Sequence, residues 1–498
     1  MFIKITMLIV FFAVMLGVGF YCKKHATNVN DFVLGGRNVG PWLTAFAYGT
    51  SYFSAVVFVG YAGQFGWKYG VAATWAGIGN ALLGSLLAWL VLGRRTRIMS
   101  QHLGAATMPQ FFGKRYDSQA LKIYASAITF LFLIPYTASL YNGLSRLFEM
   151  AFHIDYAVCV IVMAVLTGIY VIVGGYMATA INDFIQGIVM IFGIVAVIWA
   201  VLASKGGLAN ALQGLAQFSD TGAPKGSFAS LFGPDPVSLL GVVLLTSLGT
   251  WGLPQMVQKF YAIQSEKQIV KGTIISTVFA LIVAGGCYFL GGFGRLFSDK
   301  VDIATGGYDS IIPTMLENLP TVLIAVVVVL VLSASMSTLS SLVMTSSSTL
   351  TLDLIKGHAV KDMKEKTQLL VMRLLIVVFI GISAAIAIFQ TKSESESVAF
   401  IAQLMGVSWG AMAGAFLAPF LYGLYGKWVS RIAVWVNMSF SVVFMLSVIF
   451  FKNVFPPILQ SPINAGAFCM LAGLVIVPLV SLITPKPDTK EVFSCYNK

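Results

Sequence analysis

Ser247-Leu248-Gly249-Thr250-Trp251-Gly252-Leu253-Pro254 sits inside an otherwise apolar run that extends from residue 237 to 257. Its two glycines and its proline weaken a helix at that point. Bare backbone at membrane depth is tolerated only where it lines a cavity or packs against protein. A milder interruption comes earlier, where Tyr48-Gly49-Thr50-Ser51-Tyr52-Phe53-Ser54 places glycine and hydroxyl residues midway along the run 40–62. These are the second and seventh apolar segments of the chain, five apart in order. An odd separation gives two five-segment units opposite directions across a membrane. The chain therefore reads as inverted repeats, 40–203 and 237–425, each holding one interrupted helix. A matched pair of that kind points to a solute site near the midplane. For either segment alone, close helix packing is the competing reading, because glycine is common in membrane helices.

The rest of the sequence supports a lipid environment. Apolar residues make up 58% and charged residues 10% of the 498, whereas soluble domains are about 25% charged. Thirteen apolar segments can be drawn, near 3–22, 40–62, 72–93, 121–148, 156–174, 183–203, 237–257, 271–296, 321–350, 368–390, 397–425, 430–451 and 463–484. Each is close to the ~20 residues that a crossing needs. The expected fold class is an all-α polytopic membrane protein with about 13 transmembrane helices. Residues 1–39 form an extra N-terminal helix and a cytoplasmic approach to the first repeat. Residues 204–236 are an external loop, and 426–498 supply two additional helices and a tail. The stretch 309–319 reads as a short surface helix.

A net charge of +12 raises the question of nucleic acid. The distribution answers it. Loops 23–39, 94–120, 257–271, 353–368, 426–431 and the tail carry about twenty basic residues, and the alternate loops about eight. That asymmetry predicts a multi-pass protein of the cell membrane with its N-terminus outside and its C-terminus in the cytoplasm. The partner is then a lipid bilayer, with no nucleic acid.

Three stretches resemble the sodium:solute symporter family, which includes sodium/proline and sodium/pantothenate symporters. Asp31-Phe-Val-Leu-Gly-Gly-Arg37-Asn-Val-Gly-Pro41 is similar to the family's opening motif. Thr167-Gly-Ile-Tyr-Val-Ile-Val-Gly174-Gly175-Tyr176, continuing to Asn182-Asp183-Phe-Ile-Gln186, resembles its fifth-helix signature. Ser335-Met-Ser337-Thr338-Leu-Ser340-Ser341 resembles its ninth-helix sodium motif. The resemblance implies a LeuT-like five-plus-five inverted repeat and symport of a small-molecule solute with a sodium ion. It implies a first sodium site built from the Ser337 and Thr338 hydroxyls and the backbone carbonyls of Ala334, Thr50 and Phe53. It further implies a second site in some members, here Asp183, Ser337, Ser340 and Ser341, and on it an expectation of two sodium ions per solute.

The residue types agree with that picture. Sodium is a hard cation that should take oxygen ligands, by extension from calcium and magnesium. Ser337, Ser340 and Ser341 share one helical face. Helix packing is the alternative role for such hydroxyls. Asp183 opens the segment 183–203, where it is either a functional group or a cap facing the cytoplasm. Arg37 is a coupling candidate or a positive-inside anchor. Substrate candidates facing the interruptions are Tyr52, Ser54, Val57, Asn80, Tyr136, Thr246, Thr250, Trp251 and Gln403, each with a core-packing alternative.

The solute itself is only bounded. Sodium/proline members carry Asp, Trp and Tyr at the positions of Tyr52, Thr246 and Thr250, and all three are absent here. Gly252-Leu253-Pro254 and Tyr308 to Leu316 look nearer the pantothenate members. No Lys, Arg, Asp or Glu falls in the middle third of any drawn segment. A neutral, zwitterionic or singly anionic solute fits best, an amino acid or a monocarboxylate such as proline or pantothenate, since a half-helix N-terminus can receive one carboxylate. The chain is not expected to be an enzyme, as it lacks His-Glu-x-x-His, Gly-x-Ser-x-Gly and Cys/His metal spacing. A proton-coupled carrier and a solute-sensing or channel-like protein of the same fold are the alternatives. The oligomeric state is left open, with a monomer among the readings.

Overall fold

The structure is a computed structural model describing residues 2–496 apart from 153, 221, 302, 304–306, 357–359, 361 and 393–399. It does not extend to the side chains of 142, 145, 146, 149, 150, 390–392 and 400–403. Regular structure among the described residues is helical, with isolated β-bridges only. Aliphatic runs in lipid must satisfy their backbone within the segment, which leaves the helix as the spanning form here.

Among the described residues, ten helices are long and apolar enough to cross a membrane, and a bent pair, Pro236–Gly252 with Pro254–Ala262, makes an eleventh span. Two of the ten, Val56–His102 and Tyr156–Ser204, double back at a glycine, so thirteen crossings result. The turn inside Tyr156–Ser204 is Gly175, at φ 57° and ψ −151°. A Cβ there would sit 2.9 Å from the Phe32 ring in a left-handed backbone, so the position requires glycine.

The elements that position the site are α1 (Phe2–Cys22), α2 (Pro41–Tyr52), α3 (Ala62–Tyr69), α4 (Gln119–Phe152) and α5 (Tyr156–Ser204). After them come α6 (Pro236–Gly252), α7 (Pro254–Ala262), α8 (Lys267–Gly291), α9 (Thr321–Thr349), α10 (Glu365–Lys392) and α11 (Phe400–Tyr425). Helices α12 (Arg431–Phe450) and α13 (Pro462–Ile483) close the chain against α11. Helix α9 runs through the centre, against α5, α4 and α1, and every residue from Val327 to Thr349 is buried.

The basic loops gather on one face. Arg97 Nε donates to Ile263 O at 2.6 Å, Val29 N to Glu365 Oε1 at 2.9 Å and Arg115 Nε to Gly423 O at 2.8 Å. The alternate loops meet on the other face, where Trp75 Nε1 donates to Leu231 O at 2.8 Å and Lys205 Nζ to Leu296 O at 2.7 Å. Hence α2 leaves the basic face and α6 approaches it, so the two interrupted spans run in opposite senses.

Two sequence-drawn boundaries move, and one short helix lies elsewhere than expected. The sixth crossing begins at Tyr176 rather than 183, which places Asp183 about two turns inside a helix. The seventh continues through α7 to Ala262 instead of ending at 257, because Pro254 stands at the first helical position, where its missing N–H costs nothing. The short helix, Ile311–Leu316, is tucked in rather than lying on the surface: Ile311 and Leu316 are fully buried.

Candidate functional site

Helix α2 stops at Tyr52, Phe53 is extended at φ −83° and ψ 106°, and the chain resumes as a π-helical stretch, Val56–Tyr61, leading into α3. The last carbonyls of a helix have no partner within it, and here they face α9. Ser337 Oγ lies 3.2 Å from both Thr50 O and Ala334 O. Thr338 Oγ1 lies 3.1 Å from Thr50 O, 3.1 Å from Ala334 O and 3.5 Å from Phe53 O. Three carbonyls and two hydroxyls thus converge. Each hydroxyl has one hydrogen to give, so the group holds a surplus of lone pairs aimed at one point. Such a donor set suits a small hard cation and offers a soft metal nothing.

A second polar cluster lies beside the first. Asp183 and Lys259 are buried, with Lys259 Nζ 3.8 Å from Asp183 Oδ2. The same ammonium donates to Ser341 Oγ at 3.0 Å, and Ser341 Oγ is 2.8 Å from Ser51 Oγ. Ser340 Oγ instead donates back to Ser337 O at 2.9 Å. Two sequence-based expectations change as a result. Asp183 is not a helix cap, because it sits well inside α5. Lys259 is not a cytoplasmic-loop cation: Pro254 starts a helix that carries it into the core. The signal for Lys259 was that proline, and the apolar count alone overlooks it.

Arg37 grips the end of the same helix. Its guanidinium donates to Ser100 Oγ and Tyr261 O at 3.2 Å and to Ala105 O at 2.6 Å. Burial, with Arg97 nearby, lowers its pKa to about 10. Its backbone is left-handed at φ 55°, a conformation uncommon outside glycine.

The substrate candidates divide by what their polar atoms already do. Thr246 Oγ1 donates to Val242 O at 2.9 Å, Thr250 Oγ1 to Gly84 O at 3.0 Å and Trp251 Nε1 to Leu83 O at 2.9 Å. Asn80 Oδ1 accepts from Ser247 Oγ at 3.3 Å. The buried Tyr52 and Tyr136 hydroxyls and Ser54 Oγ, by contrast, make no well-formed hydrogen bond among the described residues, and the Tyr136 hydroxyl lies near Ser54 and Trp409. Trp409 Nε1 is also unpartnered, and its ring lies edge-on to Tyr136 with centroids 6.0 Å apart. Buried polar groups usually find partners, so this aromatic group can receive a solute. Val57 is buried next to the first break, and the side chain of Gln403 lies outside the described residues. Trp409 had no sequence signal beyond its place in an apolar run. A cavity of about 680 Å³ indents the face opposite the basic loops, lined by Gln64, Lys68, Asp235, Val242 and Asn464. Val242 is one turn from Thr246.

A sequence model of the sodium:solute symporter family matches residues 32–439. The chain belongs to the sodium:solute symporter family. This symporter is 29% identical over 495 residues to the sodium/proline symporter of Staphylococcus aureus (strain JH9), across 97% of this chain and 92% of the relative. In three dimensions it is similar to a Na+-coupled sialic acid symporter, with a TM-score of 0.75 at 17% identity over 98% of this chain and 99% of that one. Mhp1, a nucleobase-cation-symport-1 family transporter, gives a TM-score of 0.51 at 12% identity over 92% and 96% of the two chains. The fold is thus the LeuT-like arrangement that the interrupted pair implied, and the protein is a carrier rather than an enzyme.

Proposed function

We propose that the protein is a secondary active symporter that binds sodium at Thr50, Phe53, Ala334, Ser337 and Thr338 and carries with it one small organic solute by alternating access. The observation that carries this reading is the convergence of two α9 hydroxyls and three carbonyls at the break after Tyr52. No charged side chain takes part in that set, so one bound sodium ion brings one positive charge to the break. A solute with a single carboxylate complements it, and the N–H groups that begin the helix after Ser54 are available to receive that carboxylate. Tyr52, Ser54, Tyr136 and Trp409 add neutral donors and an aromatic wall. The Asp183–Lys259 pair is balanced internally and adds no net charge.

An amino acid or a monocarboxylate is therefore the solute class, with proline and pantothenate the first two to assay. One sodium ion crossing 100 mV contributes ~2.3 kcal/mol, enough for roughly fifty-fold accumulation. In proteoliposomes, uptake should collapse when choline replaces sodium. Equal rates in both media would make a proton-coupled carrier the better reading. We further place the N-terminus outside and the basic face in the cytoplasm, from the charge asymmetry between the two faces. A membrane-impermeant thiol reagent on intact cells should label a cysteine introduced at the exposed Lys225 and spare one at the exposed Lys366. The reverse pattern inverts the topology.

A further inference from the structure

Helix α7 carries Lys259 to a place that a loop cation does not reach. Its ammonium nitrogen is 3.0 Å from Ser341 Oγ and 3.8 Å from Asp183 Oδ2, and Ser341 Oγ is tied to Ser51 Oγ on α2 at 2.8 Å. Lys259 is 2% exposed and Asp183 0%. Neither oxygen of the Asp183 carboxylate has a hydrogen-bond partner among the described residues. The ammonium is therefore its countercharge. Asp183 and Ser341 are also two of the four residues, with Ser337 and Ser340, that the family resemblance implies for a second sodium ion. A sodium ion and an ammonium are both compact, strongly hydrated monovalent cations that ask for oxygen. At so buried a place two such charges in one small shell repel strongly. Only one can reside there.

We propose that the Lys259 ammonium takes the place of a second sodium ion at Asp183 and Ser341, so that each cycle carries a single sodium ion, bound at Ser337 and Thr338. The inference rests on reading the latter as the sodium site. A tethered cation neutralises the carboxylate without drawing an ion from solution. It also leaves a latent site: once the ammonium is gone, an unpaired carboxylate and adjacent hydroxyls remain in the core, and sodium is the abundant cation that fits them. A charge-conserving change keeps the shell closed, whereas a neutral one of similar length opens it.

The test counts radioactive sodium bound at saturation by the purified full-length protein in lipid nanodiscs, with no solute added. Wild type and Lys259→Arg should each bind one ion. Lys259→Met should bind two, and adding Asp183→Asn to Lys259→Met should return the count to one. A wild-type count of two overturns the inference whether or not any variant folds. So does a count of one for folded Lys259→Met. A wild-type count of zero overturns the sodium site at Ser337 and Thr338 itself, and is thus distinct from failure of the Lys259 assignment alone.

Discussion

The two interrupted spans carry similar sequence, glycine beside hydroxyls, yet the structure employs them differently. At the first break the carbonyls of Thr50 and Phe53 meet the hydroxyls of Ser337 and Thr338, and the result is a cluster of converging oxygens. At the second, Thr250 and Trp251 bond to the carbonyls of Gly84 and Leu83, and the break serves as an anchor. Gly252 is pressed against α11, where a Cβ would lie 2.8 Å from Ala413 Cα and 2.9 Å from Leu417 N. Unwinding alone therefore does not make an ion site. What differs is the role of the break: at the first its backbone carbonyls meet hydroxyls of α9, and at the second its side chains donate to carbonyls of a neighbouring segment.

That contrast can be broken by experiment. The largest effect is expected at the first break, from Ser337→Ala combined with Thr338→Ala. Each lost hydroxyl ligand should cost about 1–3 kcal/mol, so the half-saturating sodium concentration should rise well over tenfold while abundance in the membrane stays near wild type. A normal sodium response with poor expression would instead assign both hydroxyls to packing. A smaller effect of opposite character is expected at the second break. Gly252→Ala forces α6 and α11 apart and should destabilise the protein by about 1–3 kcal/mol, read as a lower unfolding temperature. The sodium affinity of the folded fraction should be unchanged. A large loss of sodium affinity in folded Gly252→Ala would mean that the second break shapes the ion shell after all.

Much of the fold was legible beforehand because it follows from local chemistry. Lipid demands ~20 apolar residues per crossing, and glycine, proline and hydroxyls inside two such runs mark the interruptions. Charge asymmetry sorted the loops onto faces, and the contacts of Arg97 with Ile263, Val29 with Glu365 and Arg115 with Gly423 agree with that sorting. The oxygens assigned to the first site by motif do converge. The boundaries at 183 and 257 failed for a common reason. Asp183 and Lys259 are polar, and an apolar window ends at such residues even when the helix does not.

By itself, then, the sequence determined the number of crossings, their alternation, the pair of breaks and the family, because each rests on residue type or short-range spacing. Only the tertiary structure decided which buried polar groups are already spent and which remain free. Thr250 and Tyr52 look alike as candidates until Gly84 O is found on one hydroxyl and, among the described residues, no partner on the other. Asp183 and Lys259 lie 76 positions apart, in different halves of the chain, and no local rule pairs them. Their partnership comes from α7 folding inward against α5 and α9. In a medium without water, a buried charge must be met by whatever cation the fold delivers, and here the fold delivers its own.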